Sequence, residues 1–96
     1  MTKYEVIYSN SFKKDLKKII KQGKNIDKLE KIIDKLSNKE VLDAKYKDHK
    51  LINDKYYKDC RELHIEPDWL LVYQYINNEL ILLLVRTGSH SNLLSN

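Results

Sequence analysis

Two runs of β-forming residues, separated by only two residues, dominate the second half of the chain. The runs are Trp69–Ile76 and Glu79–Arg86, with Asn77–Asn78 between them. Asparagine tolerates the positive φ of a type I′ turn, so this spacing predicts an antiparallel hairpin closed by the two asparagines. Because Glu66–Asp68 contains proline and aspartate, it predicts another turn. Tyr56–Leu63 is then the first strand of a three-stranded meander.

The first half of the chain predicts one strand and two helices. Thr2–Tyr8 mixes β-formers with polar residues and is predicted as the strand. Serine and asparagine at positions 9–11 can cap the first helix, Gly23 ends it, and Asn25 can cap the second. Apolar residues then recur at helical spacing. They are Phe12, Leu16, Ile19 and Ile20 in the first helix, and Ile26, Leu29, Ile32, Ile33 and Leu36 in the second. The lysines lie off these stripes.

These elements predict an α+β fold in the order β-α-α-β-β-β, with residues 1–96 forming a single domain. Neither the helix stripes nor the sheet can be buried alone, so the α-hairpin is expected to cover one face of the antiparallel meander. Residues 36–54 are predicted as a connection and residues 90–96 as a short tail. The single cysteine, Cys60, excludes an intramolecular disulfide and a cysteine-based zinc site.

The chain carries no predicted membrane or export segment. Its longest apolar run, Leu80–Val85, is far too short to span a bilayer. The N-terminus has a glutamate where a signal peptide needs an apolar core. We therefore expect a cytoplasmic protein without a membrane partner.

Positive charge is concentrated in the first half of the sequence. The chain has 18 basic and 14 acidic residues, a net charge of +4, and the whole excess lies in positions 1–50. This distribution suits an anionic partner such as nucleic acid. Solvated lysine-rich helix faces explain it equally well.

The predicted turns also set a register across the meander. Two-residue turns would place His64 opposite Trp69 and Trp69 opposite Arg86, in one row on one face. Asp68 and His90 would lie at the same end of the sheet. The other face would meet the helices and would carry Leu63, Leu70, Val72, Ile81, Leu83 and Val85.

This row contains the groups that RNA cleavage needs. A base takes the proton from the 2′-hydroxyl, an acid protonates the 5′-oxygen leaving group, and a cation stabilises the phosphorane. Histidine can perform either proton transfer near neutral pH, and arginine matches phosphate oxygens. The reaction needs no metal or cofactor, and the histidine spacing matches no standard zinc motif.

Three segments of the chain resemble the YafQ branch of the RelE/ParE toxin superfamily. They are Tyr46-Lys47-Asp48-His49-Lys50-Leu51, then His64-Ile65-Glu66-Pro67-Asp68-Trp69-Leu70-Leu71-Val72-Tyr73, then Arg86-Thr87-Gly88-Ser89-His90. The resemblance implies a RelE-like fold and a toxin of a type II toxin–antitoxin pair. Such toxins cleave mRNA in the 70S ribosome without a metal and are neutralised by a co-encoded antitoxin, which can also bring the toxin to operator DNA.

The resemblance also implies roles for individual residues. His90 would be the general acid and Arg86 the phosphate ligand, while Asp68 would be the base with His64 as the alternative. His49 would orient or neutralise phosphate. Trp69 would support the site or contact a base. Lysines of the two helices would bind ribosomal RNA, and Lys13, Lys17 and Lys18 are the residues we assign to this contact.

Two other functions stay open at this point, because a fold does not settle function. A ParE-like toxin would inhibit DNA gyrase without cutting RNA, and a pure interaction module would only bind its antitoxin. The several acid–base groups favour the nuclease. One departure from the family pattern is Leu94, where an aromatic residue tends to stand.

Overall fold

A computed structural model describes residues 3–52 and 55–94. Its helices and strands follow the predicted order with two additions, a two-residue strand and a C-terminal helix. The elements are β1 (Glu5–Tyr8), α1 (Asn10–Lys21), α2 (Ile26–Ser37), β2 (His49–Lys50), β3 (Arg61–Glu66), β4 (Trp69–Ile76), β5 (Ile81–Gly88) and α3 (His90–Leu94). Short 3₁₀ turns cover Ala44–Tyr46 and Asn77–Glu79. Of the predicted segments, Thr2, residues 53–54 and residues 95–96 lie outside the described residues.

The predicted boundaries of α1 and α2 are confirmed by their capping contacts. Ser9 Oγ accepts from the Phe12 amide at 2.9 Å, and Asn25 Oδ1 accepts from the Asp27 amide at 3.1 Å. Gly23 adopts a φ of 78° just after α1, and the next amide, that of Lys24, returns to the Ile19 carbonyl at 3.1 Å. This left-handed residue ends the helix because glycine has no Cβ to clash.

The five strands form one sheet in the order β1-β5-β4-β3-β2. Strand β1 runs parallel to β5, and every other pair is antiparallel. The meander is therefore confirmed, although β3 begins later than predicted. Asp59 has a φ of 62°, and the Cys60 amide donates to the Tyr57 carbonyl at 3.1 Å, so the chain turns before β3 can start.

The predicted two-residue turn between β4 and β5 is wrong. The connection is a 3₁₀ turn of Asn77–Glu79 followed by Leu80, and Leu80 rather than an asparagine takes the positive φ, 54°. Asn77 Oδ1 accepts the phenol proton of Tyr4 at 2.7 Å, so this side chain ties the connection to β1. The longer connection moves the start of β5 to Ile81.

Two irregularities change the predicted register. The pairing shifts between His64 and Glu66 in β3, and again between Val72 and Tyr73 in β4. His64 consequently lies opposite Leu70, and Arg86 lies opposite Val72. The predicted row of His64, Trp69 and Arg86 is thus wrong, since only its two outer members share a face.

The register also determines which face the helices cover. The main core joins α1 and α2 to Leu63, Ile65, Trp69, Leu71, Tyr73, Leu82 and Leu84. A smaller cluster on the opposite face contains Tyr57, Cys60, Leu70, Val72 and Leu93, with Leu51 and Val85 against it. Of the residues predicted to meet the helices, only Leu63 does so, because each register shift exchanges the two faces of a strand. None of the helices within the described ranges is long and apolar enough to cross a membrane.

Candidate active site

The helix-free face of the sheet carries most of the predicted acid–base residues. Paired residues of antiparallel strands share a face. His49, Glu62, Val72 and Arg86 therefore form one row across β2 to β5, and His64, Leu70 and Gly88 form the next. The β3–β4 turn and helix α3 border this face at the end where β5 finishes.

Asp68 and His90 are brought together at that end, as predicted. Asp68 Oδ1 accepts from the backbone amide of His90 at 3.2 Å, although 22 residues separate them in sequence. Both side chains are exposed. His90 is the first residue of α3, a helix where the sequence predicts only a short tail. The contact holds the carboxylate close to the start of the segment that presents the imidazole.

His64 lies in β3, close to the same turn. Its Nδ1 is 3.3 Å from the Pro67 carbonyl oxygen, and the side chain is half-buried. A carbonyl only accepts hydrogen bonds, so this contact favours the tautomer that carries its proton on Nδ1. The other ring nitrogen, Nε2, then has a lone pair with which it can accept a proton.

Arg86 is held by two neighbours that the sequence analysis missed. Its Nε and Nη2 donate to the two carboxylate oxygens of Asp15 at 2.6 and 3.1 Å, and Nη1 donates to the Tyr57 hydroxyl at 3.4 Å. The hydrogen bond to Asp15 raises the pKa of Arg86 above its ordinary value, against the opposing effect of burial. A sequence signal did exist, since Asp15 is the sole acidic residue of α1.

His49 lies at the far edge of the same face, apart from the turn and α3. Its Nδ1 is 2.8 Å from the Lys47 carbonyl oxygen, and its Nε2 is 3.7 Å from Glu62 Oε1. Glu62 is 4% exposed, and its Oε2 has no hydrogen-bond partner among the described residues. The predicted loop histidine is therefore a strand residue with an acidic partner.

Trp69 cannot contact RNA in this structure, and that predicted role is corrected. Its side chain is fully buried in the main core, on the face opposite His64 and Arg86. The indole N–H donates to Thr87 Oγ1 at 2.9 Å, inside the protein. The register shift explains the difference, and the alternative role of supporting the site fits this position.

The predicted RNA-binding lysines Lys13, Lys17 and Lys18 are all exposed on α1. A cleft of about 460 Å³ lies at Arg86 and is lined by Ser9, Ser11, Tyr56, Tyr57, Val85, Asn92 and Leu93. A cleft of about 620 Å³ lies beside β3 and is lined by Lys28 and Lys31 of α2, by Lys45, Tyr46 and Lys47 at the first 3₁₀ turn, and by Ile32 and residues 64–67. The side chain of Leu94 lies outside the described part of the chain.

Comparisons with known proteins agree on one family. Residues 4–95 match the family described as the bacterial toxin YafQ of type II toxin–antitoxin systems. The mRNA interferase toxin YafQ of Escherichia coli BL21-DE3 is 37% identical over 94 residues, which cover 97% of this chain and 98% of that protein.

Solved structures give the same result for the fold. A metal-bound toxin from Helicobacter pylori is 44% identical with a TM-score of 0.86, and the alignment covers 94% of this chain and 98% of that one. YafQ in the Escherichia coli DinJ–YafQ complex is 37% identical with a TM-score of 0.83, covering 95% and 98%. These similarities confirm the RelE-like fold.

The Helicobacter pylori toxin is metal-bound, so the ligands that this chain offers bear on whether it could hold a metal. Within residues 3–52 and 55–94, no three side chains of histidine, cysteine, aspartate or glutamate come together as a metal-binding group. His49 approaches Glu62 alone, and Asp68 contacts the amide of His90 rather than its ring. The described residues thus do not fit a metal centre.

Proposed function

This chain belongs to the YafQ family of type II toxin–antitoxin toxins, and we propose that it cleaves mRNA on the ribosome by acid–base attack of the 2′-hydroxyl. The enzyme class is that of its curated relatives, an endoribonuclease of the mRNA interferase type. The observation that carries the mechanism is the juxtaposition of Asp68 and His90 beside the face that bears His64 and Arg86.

The reaction begins when a base removes the proton from a ribose 2′-hydroxyl. The 2′-oxygen then attacks the adjacent phosphorus, and the bond from phosphorus to the 5′-oxygen breaks. His90, as the acid, gives its proton to that departing oxygen. The products are a 2′,3′-cyclic phosphate upstream and a 5′-hydroxyl downstream. Arg86 stabilises the charge on the phosphorane oxygens between the two steps.

Two residues compete for the role of the base. The family resemblance favours Asp68, whereas the Pro67 contact of His64 supports an imidazole whose Nε2 can accept a proton. Asp68→Asn and His64→Gln separate them, because replacing the base removes the acidic limb of the pH–rate profile. The other substitution lowers the rate and leaves that limb in place. Each proton transfer has a side chain to carry it, so the proposed reaction assigns no step to a metal ion.

The test adds purified protein to a reconstituted bacterial translation reaction and maps mRNA ends by primer extension. Wild type should cut within codons only when ribosomes are present, and the downstream fragment should carry a 5′-hydroxyl. His90→Ala should lose roughly 10²- to 10⁴-fold in rate, the usual contribution of a general acid. Glu79→Gln is the control, because Glu79 lies in the connection at the opposite end of β5.

Three results would contradict the proposal. These are 5′-phosphate products, equal cutting of naked RNA, and an intact message in the presence of folded wild-type protein. If the message stays intact, DNA supercoiling by gyrase is measured next. A ParE-like gyrase inhibitor would have the same fold but would not cleave RNA.

The proposed partners are the ribosome, its mRNA and a co-encoded antitoxin. The lysine-lined cleft beside β3 supports an acidic, partly apolar antitoxin segment, because Ile32, Ile65 and Pro67 line it as well. A complex with DinJ is known for the Escherichia coli relative. Co-purification with the product of the neighbouring gene tests this. Lys31→Glu, at a lysine that lines the cleft, should weaken the complex.

A further inference from the structure

The side chain of Asp15 is almost enclosed by N–H groups from the last part of β5. Besides Arg86 Nε and Nη2, its Oδ2 accepts from the Thr87 backbone amide at 3.1 Å. The Asp15 side chain is 13% exposed and that of Arg86 is 28% exposed. Three donors on one partly buried carboxylate fix its position much more firmly than a surface ion pair would be fixed.

The position of Asp15 follows from the way β1 ends. Strand β1 pairs with β5 only as far as Leu84, and the chain then turns at Ser9 into α1. Ser9 bonds the Leu84 and Val85 carbonyls through its amide and hydroxyl, at 3.0 and 2.7 Å. Helix α1 therefore runs past the unpaired edge of β5, and its one carboxylate accepts the edge amide of Thr87.

Asp15 and Tyr57 contact different nitrogens of the Arg86 guanidinium group. Its five N–H groups lie in one plane. Asp15 takes the edge formed by Nε and Nη2, and Tyr57 lies at Nη1. The end of the fork, with one N–H on Nη1 and one on Nη2, has the spacing that matches two oxygens of a phosphate.

We propose that Asp15 is a positioning residue for cleavage, which holds Arg86 through its Nε–Nη2 edge so that the Nη1–Nη2 end faces the phosphorane. This inference rests on the proposed nuclease function. Asp15 itself touches no reacting atom, because its oxygens are already committed to Arg86 and Thr87. An arginine fixed before the reaction stabilises developing charge without having to reorganise during it.

The test is a double-mutant cycle on the single-turnover cleavage rate with saturating ribosomes. Asp15→Ala in the wild-type background should lower the rate roughly 10- to 100-fold, the range typical of lost supporting contacts and small misplacements. In the Arg86→Ala background the same substitution should cost nothing further, because Asp15 acts only through Arg86. Glu30→Gln, at an exposed carboxylate of α2, is the matched control and should cut like wild type.

Asp15 also accepts a backbone amide, so loss of folding has to be separated from loss of positioning. Asp15→Asn keeps an oxygen for Thr87 while removing the ion pair, and its thermal unfolding should lie nearer to wild type than that of Asp15→Ala. Its cleavage rate per folded molecule should still fall, with ribosome affinity unchanged.

Three outcomes overturn the inference. An equal loss of cleavage rate in both backgrounds would show that Asp15 acts independently of Arg86. A higher cleavage rate for Asp15→Ala than for wild type would show that Asp15 slows the reaction. An unchanged cleavage rate per folded molecule would show that Asp15 has a structural role only. If wild type itself fails to cut, the nuclease proposal falls and this inference falls with it. A cutting wild type with an unaffected Asp15→Ala refutes the inference alone.

Discussion

The indole of Trp69 and the hydroxyl of Thr87 join β4 to β5 inside the core. Trp69 Nε1 donates to Thr87 Oγ1 at 2.9 Å, and that hydroxyl in turn donates to the Leu70 carbonyl at 2.8 Å. Both side chains are fully buried or nearly so. Thr87 directly follows Arg86 in β5, but this short chain of hydrogen bonds lies inside the protein and joins buried groups only.

Trp69→Phe should therefore affect stability more than catalysis. It removes a buried hydrogen bond and part of a fully buried ring, so the free energy of unfolding should fall by about 1–3 kcal/mol. Urea denaturation at pH 7 measures this loss. The cleavage rate per folded molecule should stay close to wild type, because the indole has no surface facing the substrate.

Thr87→Ser is the matched control for this pair. It keeps the hydroxyl that receives the indole N–H, whereas Thr87→Val leaves both Trp69 Nε1 and the Leu70 carbonyl without that partner. Val should therefore destabilise the protein more than Ser. A Trp69→Phe variant that unfolds like wild type but has lost cleavage would contradict the core assignment and restore the predicted contact with RNA.

The sequence predicted the elements well because each depends on local chemistry. Ser9, Gly23 and Asn25 mark helix ends through capping and left-handed geometry, which act within a few residues. The fold class and the order of elements follow from such signals. The placement of Asp68 and His90 at the same end of the sheet was also predicted. Their positions follow from the order of the strands in the meander and do not depend on the exact pairing.

The register could not be predicted, because it depends on contacts between distant segments. The β4–β5 connection lengthens where Asn77 accepts from Tyr4, a residue 73 positions away. That lengthening moves the pairing by two residues, from Ile76 opposite position 79 to Ile76 opposite Ile81, and leaves the faces unchanged. The one-residue shifts between His64 and Glu66 and between Val72 and Tyr73 exchange the faces and place Trp69 in the core. Asp15 was missed for a similar reason: only the packing of α1 along the open edge of β5 brings it to Arg86.

Stability should decline at alkaline pH, partly through Tyr75. Burial, with the nearby carboxylate of Asp48, raises the pKa of Tyr75 from 10.0 to about 12. The unfolded phenol loses its proton near 10, while the folded one keeps it to about 12. The stability due to this group is thus complete below pH 10 and is lost as pH rises towards 12. Tyr73 shows a rise in pKa of the same sign, caused first by burial.

Chemical denaturation between pH 8 and pH 11 measures this decline. Tyr75→Phe should lose about 1 kcal/mol at pH 8, because its hydroxyl no longer donates to the Leu36 carbonyl. Above pH 10 its free energy of unfolding should fall less steeply than that of wild type. Tyr8→Phe, at a side chain that is 41% exposed, is the control and should follow wild type. Parallel curves for wild type and Tyr75→Phe would refute the prediction.

The lysines of α1 should govern ribosome binding rather than chemistry. Lys13, Lys17 and Lys18 are exposed, so each can neutralise an RNA phosphate and release counterions. Replacing all three with glutamine should weaken binding and reduce the slope of log affinity against log salt by about 2 to 3. Filter binding to ribosomes at several salt concentrations gives that slope. His90→Ala should keep the wild-type slope, and an unchanged slope in the lysine variant would remove these residues from the interface.

The two arginines of the chain provide a direct comparison of charge with geometry. Arg86→Lys retains the positive charge but cannot hold Asp15 with two N–H groups and a phosphate with two more. Its single-turnover cleavage rate should fall roughly 10- to 100-fold, as expected when a supporting geometry is lost. Arg61, whose Nε donates to Asp48 at 3.2 Å, serves as the matched control. Arg61→Lys should leave the rate per folded molecule unchanged. If both variants cut equally well, charge alone suffices at position 86, and the planar fork of Arg86 has no part in stabilising the phosphorane.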